Sequence, residues 1–266
     1  MTPKWVVVTG AASGIGEGVA RALAQSGFGV VLVDFDRDGL HRVGADIPES
    51  VTLACDLTDP DSHARLRDAA RSVDAAWGLV NCAGVSQVKH FLLTTDAEWT
   101  RILRVNLEGT VRATSAVAEV LADNGGGAIV NVSSISGVVP AALQAPYAAS
   151  KAGVIGFTTG LAFDLGPLNV TVNAVSPGIV RTPMWDAILD KESAESGVPA
   201  DDIFAAHVRP IPTGQPQTSE DIAAVCAFLL GPGARSISGE TIKVTGGMTT
   251  VDFDFHAGAG STRVGV

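Results

Sequence analysis

The sequence has little of several features that mark whole classes of protein. It contains three cysteines and one tyrosine in 266 residues, and no apolar run approaches the roughly 18 residues of a membrane-spanning helix. Cysteines this few and this far apart predict neither a disulfide framework nor a metal-binding motif. No two of the five histidines stand four residues apart, so a zinc site is not expected. We therefore expect no metal and no membrane span.

Positive charge is also scarce. The chain has 18 Lys and Arg against 28 Asp and Glu, a formal net charge of −10, which gives no electrostatic attraction to nucleic acid or to an anionic membrane. The hydrophobic fraction of 46% excludes a disordered chain. The first ten residues contain too short an apolar stretch for a signal peptide, which favours a cytoplasmic protein. Small-molecule chemistry or protein partners remain.

Short β-branched runs alternate with helical patterns along the chain. The pattern predicts a single α/β domain over residues 1–252, a doubly wound, mostly parallel seven-stranded sheet with helices on both faces. Helix starts are predicted at Asp59 with Pro60, at Thr95 with Glu98, and at Thr218 with Asp221. The expected strands are Lys4–Thr9, Gly29–Asp34, Val51–Cys55, Gly78–Asn81, Ala128–Val132, Val170–Ala174 and Thr241–Val244.

Two segments depart from this alternation. Residues 183–212 have a helical pattern with no strand and are either a lid over a site or a pair of surface helices. Residues 253–266 form a glycine-containing C-terminal tail that is either disordered or docked on a neighbouring subunit.

A glycine-rich turn follows the first predicted strand and opens the first helix. Gly10, Gly14 and Gly16 are spaced Gly-x-x-x-Gly-x-Gly, which lets backbone N–H groups approach a pyrophosphate at a helix N-terminus. A plain tight turn is the alternative. The second strand ends in Asp34, whose carboxylate can accept hydrogen bonds from a ribose diol and would repel a 2′-phosphate, so NAD is favoured over NADP. Asp34 can instead cap the next helix.

Tyr147 and Lys151 stand one helical turn apart. A neighbouring ammonium stabilises a phenolate and lowers its pKa, which would let the tyrosine transfer a proton at neutral pH. Ser134 directly follows a predicted strand and points into the crevice above the sheet, where it can hydrogen-bond a carbonyl oxygen. Asn106 is polar among apolar neighbours and is either part of this site or a helix-bending residue.

These motifs together resemble the short-chain dehydrogenase/reductase family over roughly residues 4 to 247. The departures are Cys82 where the family usually has asparagine, Thr245 where it usually has aspartate, and a longer C-terminal tail. The matching motifs, in the family's order, are Thr9-Gly10, Gly14-Ile15-Gly16, Asp56-Leu57, Asn81, Ala83-Gly84, Asn106, Ser134, Tyr147, Lys151 and Pro177-Gly178.

The resemblance implies a catalytic tetrad of Asn106, Ser134, Tyr147 and Lys151. Tyr147 would be the general acid/base, Ser134 would position the substrate oxygen, Lys151 would lower the tyrosine pKa and bind the nicotinamide ribose, and Asn106 would hold a water in the proton relay. It also implies a homotetramer or homodimer, which suits the small residues around Tyr147. The implied cofactor contacts are Gly10, Ser13, Gly14, Ile15, Gly16, Asp34, Phe35, Asp56, Leu57, Asn81, Ala83, Gly84, Tyr147, Lys151, Pro177, Gly178, Val180 and Thr182.

The expected reaction is NAD-dependent interconversion of a secondary alcohol and a ketone. The stretch from Pro177 to Trp185 is similar to that of acetoin/2,3-butanediol and polyol dehydrogenases. Gln144 can hydrogen-bond a second oxygen beside the reacting carbon. A small diol, α-hydroxyketone or polyol is therefore the first substrate hypothesis. Ser134, Tyr147, Met184 and Trp185 complete the expected substrate site. A bulky apolar alcohol is the competing substrate. A non-catalytic NAD-binding redox sensor also stays open, and a 3-oxoacyl thioester is less favoured because Asp34 opposes NADP.

Overall fold

The computed structural model describes residues 2–248, so the predicted tail at 253–266 lies outside the described residues. Seven strands form one sheet in which every neighbouring pair is parallel, in the order β3-β2-β1-β4-β5-β6-β7. All seven predicted strands are present, with bounds shifted by up to three residues. They are β1 Trp5–Thr9, β2 Gly29–Asp34, β3 Ser50–Ala54, β4 Ala76–Asn81, β5 Gly127–Val132, β6 Val170–Pro177 and β7 Thr241–Val244.

The helices cover both faces of the sheet, which confirms the doubly wound fold. Alternate residues of β1 point into two apolar cores, one on each face of the sheet. Val6 and Val8 pack against the helices Gly14–Gln25 and Ser219–Leu230. Val7 packs against the helices Ser62–Arg71 and Gly109–Asp123. A π-helical turn, Arg104–Glu108, joins the helix that ends at Leu103 to the helix that begins at Gly109. The helices are α1 Gly14–Gln25, α2 Arg37–Ala45, α3 Ser62–Arg71, α4 Asp96–Leu103, α5 Gly109–Asp123, α6 Ala145–Leu165, α7 Pro183–Ser196, α8 Ala200–Val208 and α9 Ser219–Leu230.

The strand order reverses between β1 and β4. Thr9 at the end of β1 is in register with Asn81 at the end of β4, and the connections leave these two strand ends toward opposite sides of the sheet. A crevice opens above the carboxyl ends of strands at such a reversal and is where open α/β sheets bind ligands. The fold therefore places the glycine-rich turn and the residues after β4 and β5 around one cleft.

Two of the three predicted helix starts are correct. Thr95 with Glu98, and Thr218 with Asp221, form capping boxes in which side chain and backbone bond reciprocally. The start predicted at Asp59 and Pro60 is wrong: α3 begins at Ser62, because the Ser62 N–H bonds the Asp59 carbonyl and closes a turn first. Among residues 2–248 no helix is both long and apolar enough to cross a bilayer.

Candidate active site

A cleft of about 880 Å³ runs above the carboxyl ends of the strands. The glycine-rich turn and Asp34 border one part of it, and Ser134, Tyr147 and Lys151 border another. The start of α7 closes the side near Tyr147, where Met184 and Trp185 line the wall. The structure thus brings the predicted nucleotide-binding and proton-transfer residues to one continuous space.

The glycine-rich turn has the shape that a phosphate needs. A Cβ on Gly16 would lie 2.0 Å from the Gly10 carbonyl oxygen, so no side chain fits there. Gly10 has a φ of +70°, and a Cβ on it would meet the Ala83 backbone at 2.8 Å. Ser13 precedes α1 but its side chain makes no capping hydrogen bond, which leaves the N–H groups of the first turn for an anion. These residues fit a dinucleotide pyrophosphate.

Asp34 borders the cleft and also supports the glycine-rich turn. Its Oδ2 accepts a hydrogen bond from the Ala12 N–H at 3.1 Å, and its Oδ1 accepts one from the Asp36 N–H at 3.0 Å. Arg42 is tied to Glu17 at 2.6 Å and to the Ala12 carbonyl at 2.8 Å. The carboxylate therefore has lone pairs left for a ribose diol, while the nearby arginine is already engaged. Phe35 is exposed beside it on the cleft border.

Most other predicted cofactor contacts also border the cleft. Asn81 is an exception: its Nδ2 donates to Thr114 and Asn131, so its side chain faces away from the cleft, between the sheet and α5. Thr9, which was not predicted as a site residue, has an Oγ1 that accepts from the Cys82 and Ala83 N–H groups and joins the two strand ends. The predicted residues on the border are Gly10, Ser13, Gly14, Ile15, Gly16, Asp56, Leu57, Ala83, Gly84, Pro177, Gly178, Val180 and Thr182.

Tyr147 lies in the first turn of α6 and borders the cleft together with Ser134. Burial raises the pKa of the Tyr147 phenol, and the hydrogen bond with Ser134 acts in the opposite direction. The net shift is upward, which is the reverse of the lowering predicted from Lys151. Desolvation of the phenolate outweighs its stabilisation, so Tyr147 is a protonated phenol at neutral pH.

Lys151 is buried one helical turn after Tyr147. Its Nζ donates to the Val132 carbonyl oxygen at 2.9 Å and lies 5.9 Å from the centre of the Tyr147 ring. Burial lowers the pKa of Lys151 to about 8. The ammonium therefore stands near the phenol, although its hydrogen bond is directed to the strand end.

Asn106 lies in the π-helical turn and is fully buried. Its amide bonds both the N–H and the carbonyl of Val85, at 2.8 and 2.9 Å, and donates to the Ser150 Oγ at 3.0 Å. Ser150 in turn donates to the Tyr147 carbonyl at 2.7 Å. The Asn106 side chain is therefore engaged by protein partners and joins the cleft wall at Val85 to α6, while the relay water at Asn106 stays a prediction.

The start of α7 contributes two apolar side chains to the cleft wall. Met184 and Trp185 border the cleft, and Thr182 caps α7 by accepting from the Trp185 N–H at 3.5 Å. Gln144, predicted as a substrate contact, does not border the cleft, and its Oε1 accepts a hydrogen bond from Ser136 Oγ at 2.8 Å. Within the described residues no group of three or more His, Cys, Asp or Glu side chains is placed to hold a metal ion.

The comparisons with known proteins agree with this geometry. A family model described as "Enoyl-(Acyl carrier protein) reductase" matches residues 10–249. The Short-chain reductase protein NovJ of Streptomyces niveus is 35% identical over 246 residues, which cover 91% of this chain and 92% of NovJ. The chain belongs to the short-chain dehydrogenase/reductase family. It is an oxidoreductase of that family, and the acetoin and polyol dehydrogenase subtype predicted from sequence is not confirmed.

Two solved structures of ketone reductases resemble this short-chain dehydrogenase/reductase along nearly their whole length. An actinorhodin polyketide ketoreductase variant with NADPH has a TM-score of 0.87 and 30% identity, covering 94% of this chain and 98% of that one. The 3-ketoacyl-(acyl-carrier-protein) reductase from Brucella melitensis complexed with NADH has a TM-score of 0.82 and 30% identity, covering 92% and 98%.

The departures from the short-chain dehydrogenase/reductase motifs are local. Cys82 lines the cleft beside Lys151, and burial raises the pKa of its thiol to about 12, so it is a neutral group there. Thr245 is buried, and its carbonyl accepts from the Met248 N–H at 3.2 Å. Neither substitution removes a residue of the Ser134, Tyr147 and Lys151 cluster.

Proposed function

We propose that this protein interconverts a secondary alcohol and a ketone with NAD(H). The proposal rests on one arrangement. Tyr147 and Ser134 border the same cleft as Asp34, and the centre of the Tyr147 ring lies 5.9 Å from Lys151 Nζ. A phenol, a hydroxyl and an ammonium in this order suit proton transfer to or from a carbinol oxygen.

The residues have separable roles in the proposed reduction. Ser134 donates a hydrogen bond to the ketone oxygen, and the protonated Tyr147 phenol delivers its proton to that oxygen as charge develops. Lys151 then stabilises the phenolate left on Tyr147. When bound, the nicotinamide supplies the hydride that the carbonyl carbon accepts. In the oxidation direction the Tyr147 phenolate accepts the proton that the carbinol oxygen loses.

Asp34 supports NAD(H) rather than NADP(H). Its carboxylate and that of Asp36 put negative charge on the cleft border, which would repel a 2′-phosphate, and Arg42 is engaged by Glu17. The two reductase structures carry NADPH and NADH respectively. The preference of this chain therefore follows from its own Asp34 and not from its relatives.

The substrate we propose carries an apolar group beside the ketone. Met184 and Trp185 form an apolar wall, and Gln144, which supported a small diol, α-hydroxyketone or polyol, is bonded to Ser136 outside the cleft. The similar structures are named as reductases of polyketide and 3-ketoacyl substrates. A monoketone or a 3-oxoacyl thioester therefore has more support than the small diol.

We also propose that the chain forms a homotetramer, or a homodimer, in solution. One face of α6 is exposed and carries no charged side chain before Asp164 near the end of the helix, and a Cβ on Gly156 or Gly160 would meet nothing within 4 Å. Small uncharged residues at helical spacing let two helices approach closely. The residues of this face are Ala152, Gly156, Thr159, Gly160 and Phe163.

The test is the initial rate of NADH and NADPH oxidation against a ketone panel, with Tyr147→Phe as the inactive control. The panel holds diacetyl, acetoin, a ketohexose, a cyclic monoketone, a ketosteroid and a 3-oxoacyl thioester. Turnover of the apolar ketones or the thioester with NADH, absent in Tyr147→Phe, supports the proposal. Turnover of the dicarbonyls alone restores the small-substrate hypothesis. NADH binding without turnover on any ketone points to a non-catalytic sensor.

A further inference from the structure

We propose that Arg181 is a positioning residue that holds α7 and α8 together and thereby keeps Trp185 in the wall of the substrate end. This inference rests on the proposed function in one respect only, namely that Trp185 faces the substrate. Arg181 stands between Val180 and Thr182, both of which border the cleft. It is therefore placed to join the cofactor side of the cleft to the two helices.

The Arg181 guanidinium contacts both helices at once. Its Nε lies 3.2 Å from Asp186 Oδ1 on α7, and its Nη1 lies 3.0 Å from Asp201 Oδ1 on α8. Its central carbon is 5.0 Å from the centre of the Phe204 ring on α8, within cation–π range. The planar guanidinium has several N–H donors in fixed directions, so it can bind two carboxylates and stack near an aromatic ring at the same time. The ammonium of a lysine is a compact point charge and lacks this geometry.

The contact reaches Trp185 through Phe204. The Trp185 and Phe204 rings meet edge to face with centres 6.3 Å apart. His207, one turn further along α8, presents its ring 5.3 Å from that of Trp185. Because Trp185 borders the cleft, a displacement of α8 would remove the rings that hold Trp185 in place.

We call the contacts of Arg181 with Asp186, Asp201 and Phe204 the clamp. The clamp matters because few other contacts hold α7 and α8 in place. Leu189 is the buried residue of α7, and Ile203 is the buried residue of α8. Other polar contacts of the pair are long: Lys191 Nζ lies 3.5 Å from the Val88 carbonyl, and His207 lies 3.7 Å from Glu192. Segments with few buried apolar contacts open locally at small free-energy cost. An exposed ion pair contributes little to global stability. Its interaction energy is nevertheless comparable with the small free-energy cost of displacing such helices.

Amide hydrogen exchange tests the clamp without any substrate. Arg181→Met removes both ion pairs and keeps an unbranched side chain. It should accelerate exchange over residues 183–208 on the order of three- to ten-fold while leaving the sheet unchanged. Arg71→Met is the matched control, because the Arg71–Asp123 pair at 3.3 Å involves an arginine that is equally half-exposed. Unchanged exchange over 183–208 in Arg181→Met would overturn the proposal.

Steady-state kinetics test the consequence for the site. Arg181→Met and Asp201→Asn should each raise the KM for the ketone on the order of three- to ten-fold, with kcat and NADH affinity changed less than about two-fold. The double variant should be no worse than the poorer single variant, and additive effects would contradict the clamp. Arg181→Lys should recover only part of the loss. If no ketone is turned over, the proposed function fails while hydrogen exchange still decides the clamp.

Discussion

Lys151 Nζ donates a 2.9 Å hydrogen bond to the carbonyl oxygen of Val132, the last residue of β5. This bond ties α6, which carries Tyr147, to the strand end that Ser134 follows two residues later. It also holds an ammonium in a buried position, where burial lowers the pKa of Lys151 to about 8. The contact with Val132 thus fixes where the lysine lies, and its burial there lowers its pKa.

Lys151→Met should change how stability depends on pH. The folded pKa of Lys151 is about 8, below the ordinary lysine pKa of 10.5, so the folded state holds fewer protons than the unfolded state between these values. Stability of the wild type should therefore rise relative to Lys151→Met as pH increases from 8 to 10.5, by on the order of 3 kcal/mol. Urea unfolding at pH 7 and pH 10 measures this, and a constant difference between the two proteins would contradict it.

Tyr147→Phe should lower kcat by about 10²- to 10⁴-fold, the usual contribution of a general acid or base. NADH affinity should change little, since the aromatic ring is kept. The measurement is turnover with the best ketone of the panel together with fluorescence titration of NADH. Retained turnover would remove Tyr147 from the proposed proton transfer.

Ser134→Ala should raise the pKa of Tyr147 further, because the hydrogen bond from Ser134 is the contact that favours the phenolate. Tyr147 is the only tyrosine, so phenolate absorbance reports this residue without a second phenol. Ser136→Ala is the control: Ser136 bonds Gln144 and not Tyr147. An unchanged titration in Ser134→Ala would mean that the hydrogen bond has no effect on the phenol.

Asp34→Asn should shift cofactor preference toward NADPH at least about ten-fold, because removing a full negative charge relieves repulsion of a 2′-phosphate. The amide keeps an oxygen that can accept one of the two backbone hydrogen bonds. Asp38→Asn removes a charge from the first turn of α2 nearby and serves as the control. The ratio of kcat/KM for NADPH and NADH is the measurement; an equal shift in both variants would assign the effect to general charge.

Gly156→Glu should dissociate the proposed homotetramer or homodimer. A Cβ at Gly156 meets nothing within 4 Å, so the monomer tolerates the side chain, while a charge enters the uncharged face of α6. Ala64→Glu on the exposed side of α3 is the control. Light scattering gives the mass: a monomeric wild type, or a Gly156→Glu protein of unchanged mass, would contradict the proposed interface.

Residue patterns within single elements could be predicted from the sequence. The seven strands follow from their apolar runs, and the capping boxes at Thr95 and Thr218 follow from spacing within one helical turn. Tyr147 and Lys151 are one turn apart, so any helix would place them together. The sequence likewise determined the glycine-rich turn, since Gly10, Gly14 and Gly16 are the residues that such a turn requires.

Contacts between distant elements were decided only by the tertiary structure. The pKa of Tyr147 rises because burial, which depends on how all the elements pack, outweighs the opposing effect of Ser134. Asn106 meets Val85 and Ser150, and Gln144 meets Ser136, through a π-helical turn and a loop that no periodic pattern signals. Arg181 reaches Asp201 only because α7 folds back on α8. Sequence spacing determines which side chains share an element, whereas desolvation and hydrogen-bond partners depend on which elements meet in space.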